Sequence, residues 1–252
     1  MMESIIYLVA VLAAEIITVY LDPLWGMIIH VAIMAAVLVR SSLFKDPLYQ
    51  KLFLGFALVP LVRIISLSMG LGSIPQIWWY PIIYAPLVVA SFVVVRFSGY
   101  SLKSVGLNRN KLLQQLLIAL SGVVFGFTEY FILFVFPSET LVAPLPDTYS
   151  VANAVWMGLI LLVTTGFVEE FMFRGVLQKS ACDAWGWWGI IFVSLLFAIL
   201  HIGFKSPLDV AFVMGVALFF GWMVKKTGSL LGVTLAHGIT NTLLFVVLPF
   251  FI

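Results

Sequence analysis

Apolar residues run through this chain in stretches of helical length, each ended by a short group of proline, glycine, serine or charged residues. Runs of at least about 18 such residues are long enough to cross a bilayer as a helix, and they recur from one end to the other. The breaks between them predict nine helices, near residues 5–20, 24–40, 51–69, 77–96, 112–136, 152–179, 186–203, 208–225 and 229–250. Asp22-Pro23, Asp46-Pro47 and Ser206-Pro207-Leu208-Asp209 each set a capping side chain before a proline at the first turn. The first two helices also suit a single re-entrant hairpin. The segment 137–150, PSETLVAPLPDTYS, is the longest polar, proline-rich connection. No internal repeat, low-complexity tail or second domain is visible. The expected fold class is all-α, a polytopic transmembrane bundle of eight or nine helices.

Composition supports the same class. The chain is 63% hydrophobic and 10% charged, against about 25% charged in soluble domains. A net charge of +2 is too small to point to nucleic acid; the expected partner is the lipid bilayer. The first apolar run, IIYLVAVLAAEIITVY, lacks a basic leader and a small-residue cleavage site, so it reads as a helix and not as a cleavable signal. The single cysteine, Cys182, excludes an internal disulfide.

The basic residues orient the bundle. Arg40, Lys45 and Lys51 fall between helices two and three; Arg96, Lys103, Arg109 and Lys111 between four and five; Lys179 after six; Lys225 and Lys226 after eight. Alternating helices put all of these on one side, which the positive-inside rule makes cytoplasmic. The connections at 70–76 and 137–150 hold no lysine or arginine, and Lys205 is the exception. An N-inside, C-outside bundle of nine helices in the cell membrane satisfies this pattern.

Against that background the buried charges need a reason, because a charge at the bilayer centre costs about 2.5–3.5 kcal/mol even on insertion scales. In FVEEFMFR, residues 167–174, Glu170 and Arg174 stand four apart on one helix face and suit an ion pair. Glu169 points about 100° away from its neighbour, free to face the bundle interior. A charge cluster that staples helix six to its neighbours would look the same. Two further patterns add chemistry: Phe197 and His201 share a face of helix seven, and His237 and Asn241 share one of helix nine. A carboxylate can take a proton from water, an imidazole can share it, and an amide can hold an oxyanion. Together they make a hydrolase inventory.

Glu169-Glu170 with Arg174, Phe197 with His201, and His237 with Asn241 stand in the order of the three motifs of the CAAX protease and bacteriocin-processing (CPBP) family, which the chain resembles over roughly residues 150–245. FRGVLQ after the glutamates and KTGSLLGVTLAH before the third motif also resemble family context. Phe173 stands where many relatives carry tryptophan. The family consists of polytopic membrane endopeptidases, among them the type 2 CAAX prenyl endopeptidase. The resemblance divides one bundle into N-terminal transmembrane helices, 1–150, and a CPBP-like catalytic core, 151–252.

The resemblance implies hydrolysis of a peptide bond in a membrane-associated or prenylated substrate. Glu169 resembles the water-activating base, with Glu170 and Arg174 as its support. His201 resembles a second group on the same water, and His237 with Asn241 an oxyanion site; Phe197 shapes the wall. A zinc site of Glu169, His201 and His237 is the alternative. However, there is no HExxH pair and each ligand comes from a different helix, which favours a metal-free, cofactor-free mechanism. A transporter relay also uses buried Glu, Arg and His, but no two-fold repeat is visible; a non-proteolytic scaffold has no need of Glu169, both histidines and Asn241. Glu15, Arg63 and Glu129 are expected to pair with one another, and His30 to make a helix contact. Pro60, Pro81 and Pro86 predict kinks that open a cavity. Trp78, Trp79 and Tyr80 mark one membrane interface, and Trp185, Trp187 and Trp188 the other.

Overall fold

The structure, a computed structural model, describes residues 2–69, 71–135 and 148–251. Eight helices among them are long and apolar enough to cross a membrane: α1 (Met2–Tyr20), α2 (Pro23–Leu43), α3 (Pro47–Ser68), α4 (Gln76–Phe97), α5 (Leu112–Val135), α6 (Val151–Trp185), α8 (Pro207–Thr227) and α9 (Leu231–Phe250). A shorter apolar helix, α7 (Trp188–Phe204), lies between α6 and α8. The chain is an integral, multi-pass, all-α membrane protein, with no strand among the described residues. The first two helices are separate elements. Most of the connection expected at 137–150 lies outside the described residues.

Local chemistry explains the boundaries. Asp22 accepts a hydrogen bond from the Leu24 amide at 2.7 Å and Asp46 one from Leu48 at 2.9 Å. Ser206 caps α8 through the Asp209 amide at 3.2 Å. Pro23, Pro47 and Pro207 occupy the first turn in each case, where a missing N–H costs nothing. Within α3 the helix breaks at Ala57, because the Pro60 ring lacks a donor and clashes with the carbonyl of Phe56. Helix α4 runs unbroken through Pro81 and Pro86.

The outer surface is apolar. Leu113, Leu117, Leu120, Val124, Phe127 and Phe131 form an exposed stripe along α5 at helical spacing, the reverse of a soluble helix and what a lipid contact requires. Polar contacts gather instead at the end carrying the basic residues. Tyr100 donates to Asp183 at 2.8 Å, and Lys51 and Lys179 lie over its ring. Burial and the adjoining Asp183 carboxylate hold this phenol above its ordinary range. The Asn108 amide reaches Gly228, Lys111 reaches the Lys226 carbonyl, and Lys225 lies over Trp187. The basic connections therefore share one end of the bundle, as the alternation of helices predicts.

Two features bring the polar helices together. Helix α9 packs most extensively against α5 and α6, and glycine makes the approach possible. A Cβ on Gly166 would stand 2.8 Å from the Thr234 carbonyl oxygen, and one on Gly238 would stand 2.9 Å from the Leu162 Cα. Each glycine thus clears space for the other helix's backbone. The middle of α6 also departs from α-helix: residues Leu162–Glu169 and Phe171–Leu177 take the wider π form, with hydrogen bonds from i to i+5.

A larger side chain at this crossing should separate α6 from α9. Gly238→Val is expected to destabilise the protein by about 1–3 kcal/mol or more, as overpacking does. Thermal unfolding in detergent would measure it, and an unchanged melting temperature would contradict the close approach.

Candidate active site

The centre of the bundle holds one connected polar cluster. Glu170 is fully buried, and its Oε1 accepts from Arg174 Nη1 at 3.0 Å and from His237 Nδ1 at 2.8 Å. A carboxylate paired with arginine can only accept, so the His237 proton sits on Nδ1 and the ring turns Nε2 toward Glu169, 3.8 Å from Oε2. The Arg174 guanidinium lies 4.1 Å above the Phe197 ring, whose face attracts a desolvated cation. Phe173 meets the same ring edge-on at 4.9 Å, so the apolar residue at this position packs the wall. Arg174 Nη2 and Glu170 Oε2 are buried and have no hydrogen-bond partner among the described residues.

Each remaining motif residue is oriented by something behind it. His201 Nδ1 bonds the Phe197 carbonyl at 2.8 Å. A carbonyl accepts only, so Nδ1 carries the proton and Nε2 keeps its lone pair. Asn241 Nδ2 donates to Thr165 Oγ1 at 2.9 Å, and that hydroxyl donates onward to the Leu161 carbonyl at 2.8 Å. Because the hydroxyl hydrogen is already used, the Asn241 atom facing Thr165 is its nitrogen, which sets the amide's orientation. The Tyr84 hydroxyl from α4 hydrogen-bonds Glu169 Oε1.

These groups converge. Glu169, His201, His237 and Asn241 line one cavity of about 250 Å³, with Phe197 in its wall, whereas Glu170 and Arg174 stand outside the lining. Tyr84 and Thr165, which line it too, escaped the motif reading because each is an ordinary helix residue until another helix presents it to Glu169 or Asn241. One available signal was the i, i+4 pair Tyr80 and Tyr84, both of which face the cavity.

One expectation changes. Arg63 binds Glu15 at 2.7 Å and His30 binds the same oxygen at 3.0 Å, so His30 does make its helix contact. Glu129 does not join them. It sits on α5 and lines the cavity. Glu169 Oε2 and His237 Nε2 stand 3.8 Å apart, and among the described residues no group of three His, Cys, Asp or Glu side chains is drawn together as a metal site.

Removing the arginine should show what holds this cluster. Arg174→Ala leaves Glu170 buried without its cation, which typically costs about 3–5 kcal/mol. Poor folding or a lowered melting temperature is expected. A fully stable Arg174→Ala protein would mean that water, not Arg174, compensates Glu170.

Residues 151–243 match the family model described as type II CAAX prenyl endopeptidase Rce1-like. The match spans a little over a third of the chain and contains all three motifs. It agrees with the CPBP resemblance and supports a membrane-embedded endopeptidase of the CAAX-protease kind. No curated protein and no solved structure matches the chain.

Proposed function

We propose, from the premise that residues 151–243 form an Rce1-like, type II CAAX prenyl endopeptidase domain, that this chain hydrolyses a peptide bond inside the membrane through a glutamate-activated water. The observation that carries the proposal is the shared cavity: the Glu169 carboxylate, the His201 and His237 imidazoles and the Asn241 amide all line it, and each is held by a separate partner.

In this reading a water sits beside Glu169, whose Tyr84 hydrogen bond fixes the carboxylate. His201, with Nδ1 committed to the Phe197 carbonyl, accepts the water's second hydrogen at Nε2 and aims its oxygen. Glu169 takes one proton as that oxygen bonds to the peptide carbon. The carbonyl oxygen becomes an oxyanion and meets the second hydrogen on Asn241 Nδ2. It also meets the His237 ring at Nε2, the ring being held at Nδ1 by Glu170. Glu169 then gives its proton to the peptide nitrogen as the C–N bond breaks, and the base is restored. The positive charge on Arg174 and the Tyr84 hydrogen bond favour the carboxylate form of Glu169 that this step needs, and the His237 ring stands beside it. Glu170 acts one step back, holding Arg174 and His237.

The substrate is a membrane-associated or prenylated protein or peptide, in keeping with the family named by the match. The basic end of the bundle is placed in the cytoplasm, with the N-terminus on that side.

The proposal predicts that Glu169→Gln and His201→Ala abolish cleavage of a membrane peptide. Asn241→Ala should retain a residue of activity, since losing one oxyanion donor costs on the order of 10²–10³ in rate. Full activity of Glu169→Gln in a purified-protein assay would rule out its role as base. The metal-free reading predicts that activity survives exhaustive chelation. Loss with EDTA or phenanthroline, restored by stoichiometric zinc, would turn Glu169, His201 and His237 from catalysts into ligands.

A further inference from the structure

Glu129 has no part in the chemistry just derived, yet it lies in the same cavity. It is 7% exposed, and among the described residues it has neither a hydrogen bond nor an ion pair. Arg63, the cavity's cation, stands on the α3 wall and is engaged by Glu15. The charge that does reach Glu129 is that of Asp209, in the first turn of α8. Asp209 is fully buried, and among the described residues neither of its carboxylate oxygens has a hydrogen-bond partner. Two buried carboxylates therefore act on one part of the bundle, and among the described residues neither has an ion pair. A hydrocarbon environment tolerates that poorly, whereas a cation arriving in the cavity would be bound at Glu129, which lines it. Phe212, Val213 and Phe245 line the same cavity, and such apolar surface suits the methylene stem of a long basic side chain.

We propose that Glu129, its field reinforced by Asp209, is a subsite for a cationic group of the substrate, a lysine or arginine side chain near the scissile bond. The proposal deepens the endopeptidase reading and rests on it for the word substrate. It makes the cavity two-ended. Glu169 and its partners hold the reacting carbonyl, while Glu129 selects a positive charge beside it.

Binding can be measured without catalysis, in purified Glu169→Gln protein. The probes are a short leucine–alanine peptide carrying one lysine and the same peptide with norleucine in its place. The lysine peptide should bind more tightly by on the order of tenfold, the worth of one charge-assisted hydrogen bond. Adding Glu129→Gln should erase that preference while leaving the norleucine affinity unchanged, which also shows that the double variant is folded. Equal affinities in the starting protein, failure of the lysine peptide to bind, or a preference that survives Glu129→Gln would each overturn the proposal. Hydrolysis by the wild-type protein is read separately, so failure of the subsite and failure of the peptidase reading are distinct results.

Discussion

A single oxygen, Glu170 Oε1, receives both the Arg174 guanidinium and the His237 imidazole in a part of the bundle that water does not reach. Neither group could rest there alone, because an unpaired charge or an unsatisfied polar group in hydrocarbon is costly. The carboxylate in turn depends on them. This mutual requirement ties α6 to α9 and fixes which imidazole nitrogen faces Glu169. In the proposed mechanism its neighbour in sequence, Glu169, is free for chemistry because Glu170 has absorbed the structural burden.

The crossing of α6 and α9 serves that arrangement. Membrane helices gain little from burying apolar side chains against each other, since lipid offers the same contact. Close packing has to come from small residues, and Gly166 and Gly238 let the two backbones nearly touch. The π stretches of α6 lie in the same region. They redistribute side chains around the helix, so that Thr165 can hold Asn241 while Glu169 and Glu170, adjacent in sequence, face the cavity and the core respectively. Stability and function meet in the same few turns.

The cavity walls outside the motifs carry their own polarity. On the α3 side Arg63 is tethered to Glu15 and, through it, to His30; on the α5 side Glu129 is left without a counter-charge among the described residues. Arg63 keeps Glu15 as its partner, so the two charges stay unpaired with each other although both residues line the cavity.

The sequence by itself determined the helices, their membrane class, the pairing of Glu170 with Arg174 and the common end reached by the basic loops. All of these follow from local rules: apolar run length, capping chemistry, i, i+4 spacing and the alternation of short connections. It also singled out Glu169, His201, His237 and Asn241, because polar groups on apolar helices are costly enough to stand out. Only the tertiary structure decided that Tyr84 holds Glu169, that Thr165 orients Asn241, and that Glu129 faces the cavity instead of pairing with Arg63. Such contacts join residues far apart in the chain. Tyrosine and threonine are common enough in membrane helices to carry no signal of their own, and a buried glutamate looks the same in sequence whatever lies across from it. The rotation and approach of whole helices, set by two glycines and a π-helical stretch, chose those partners.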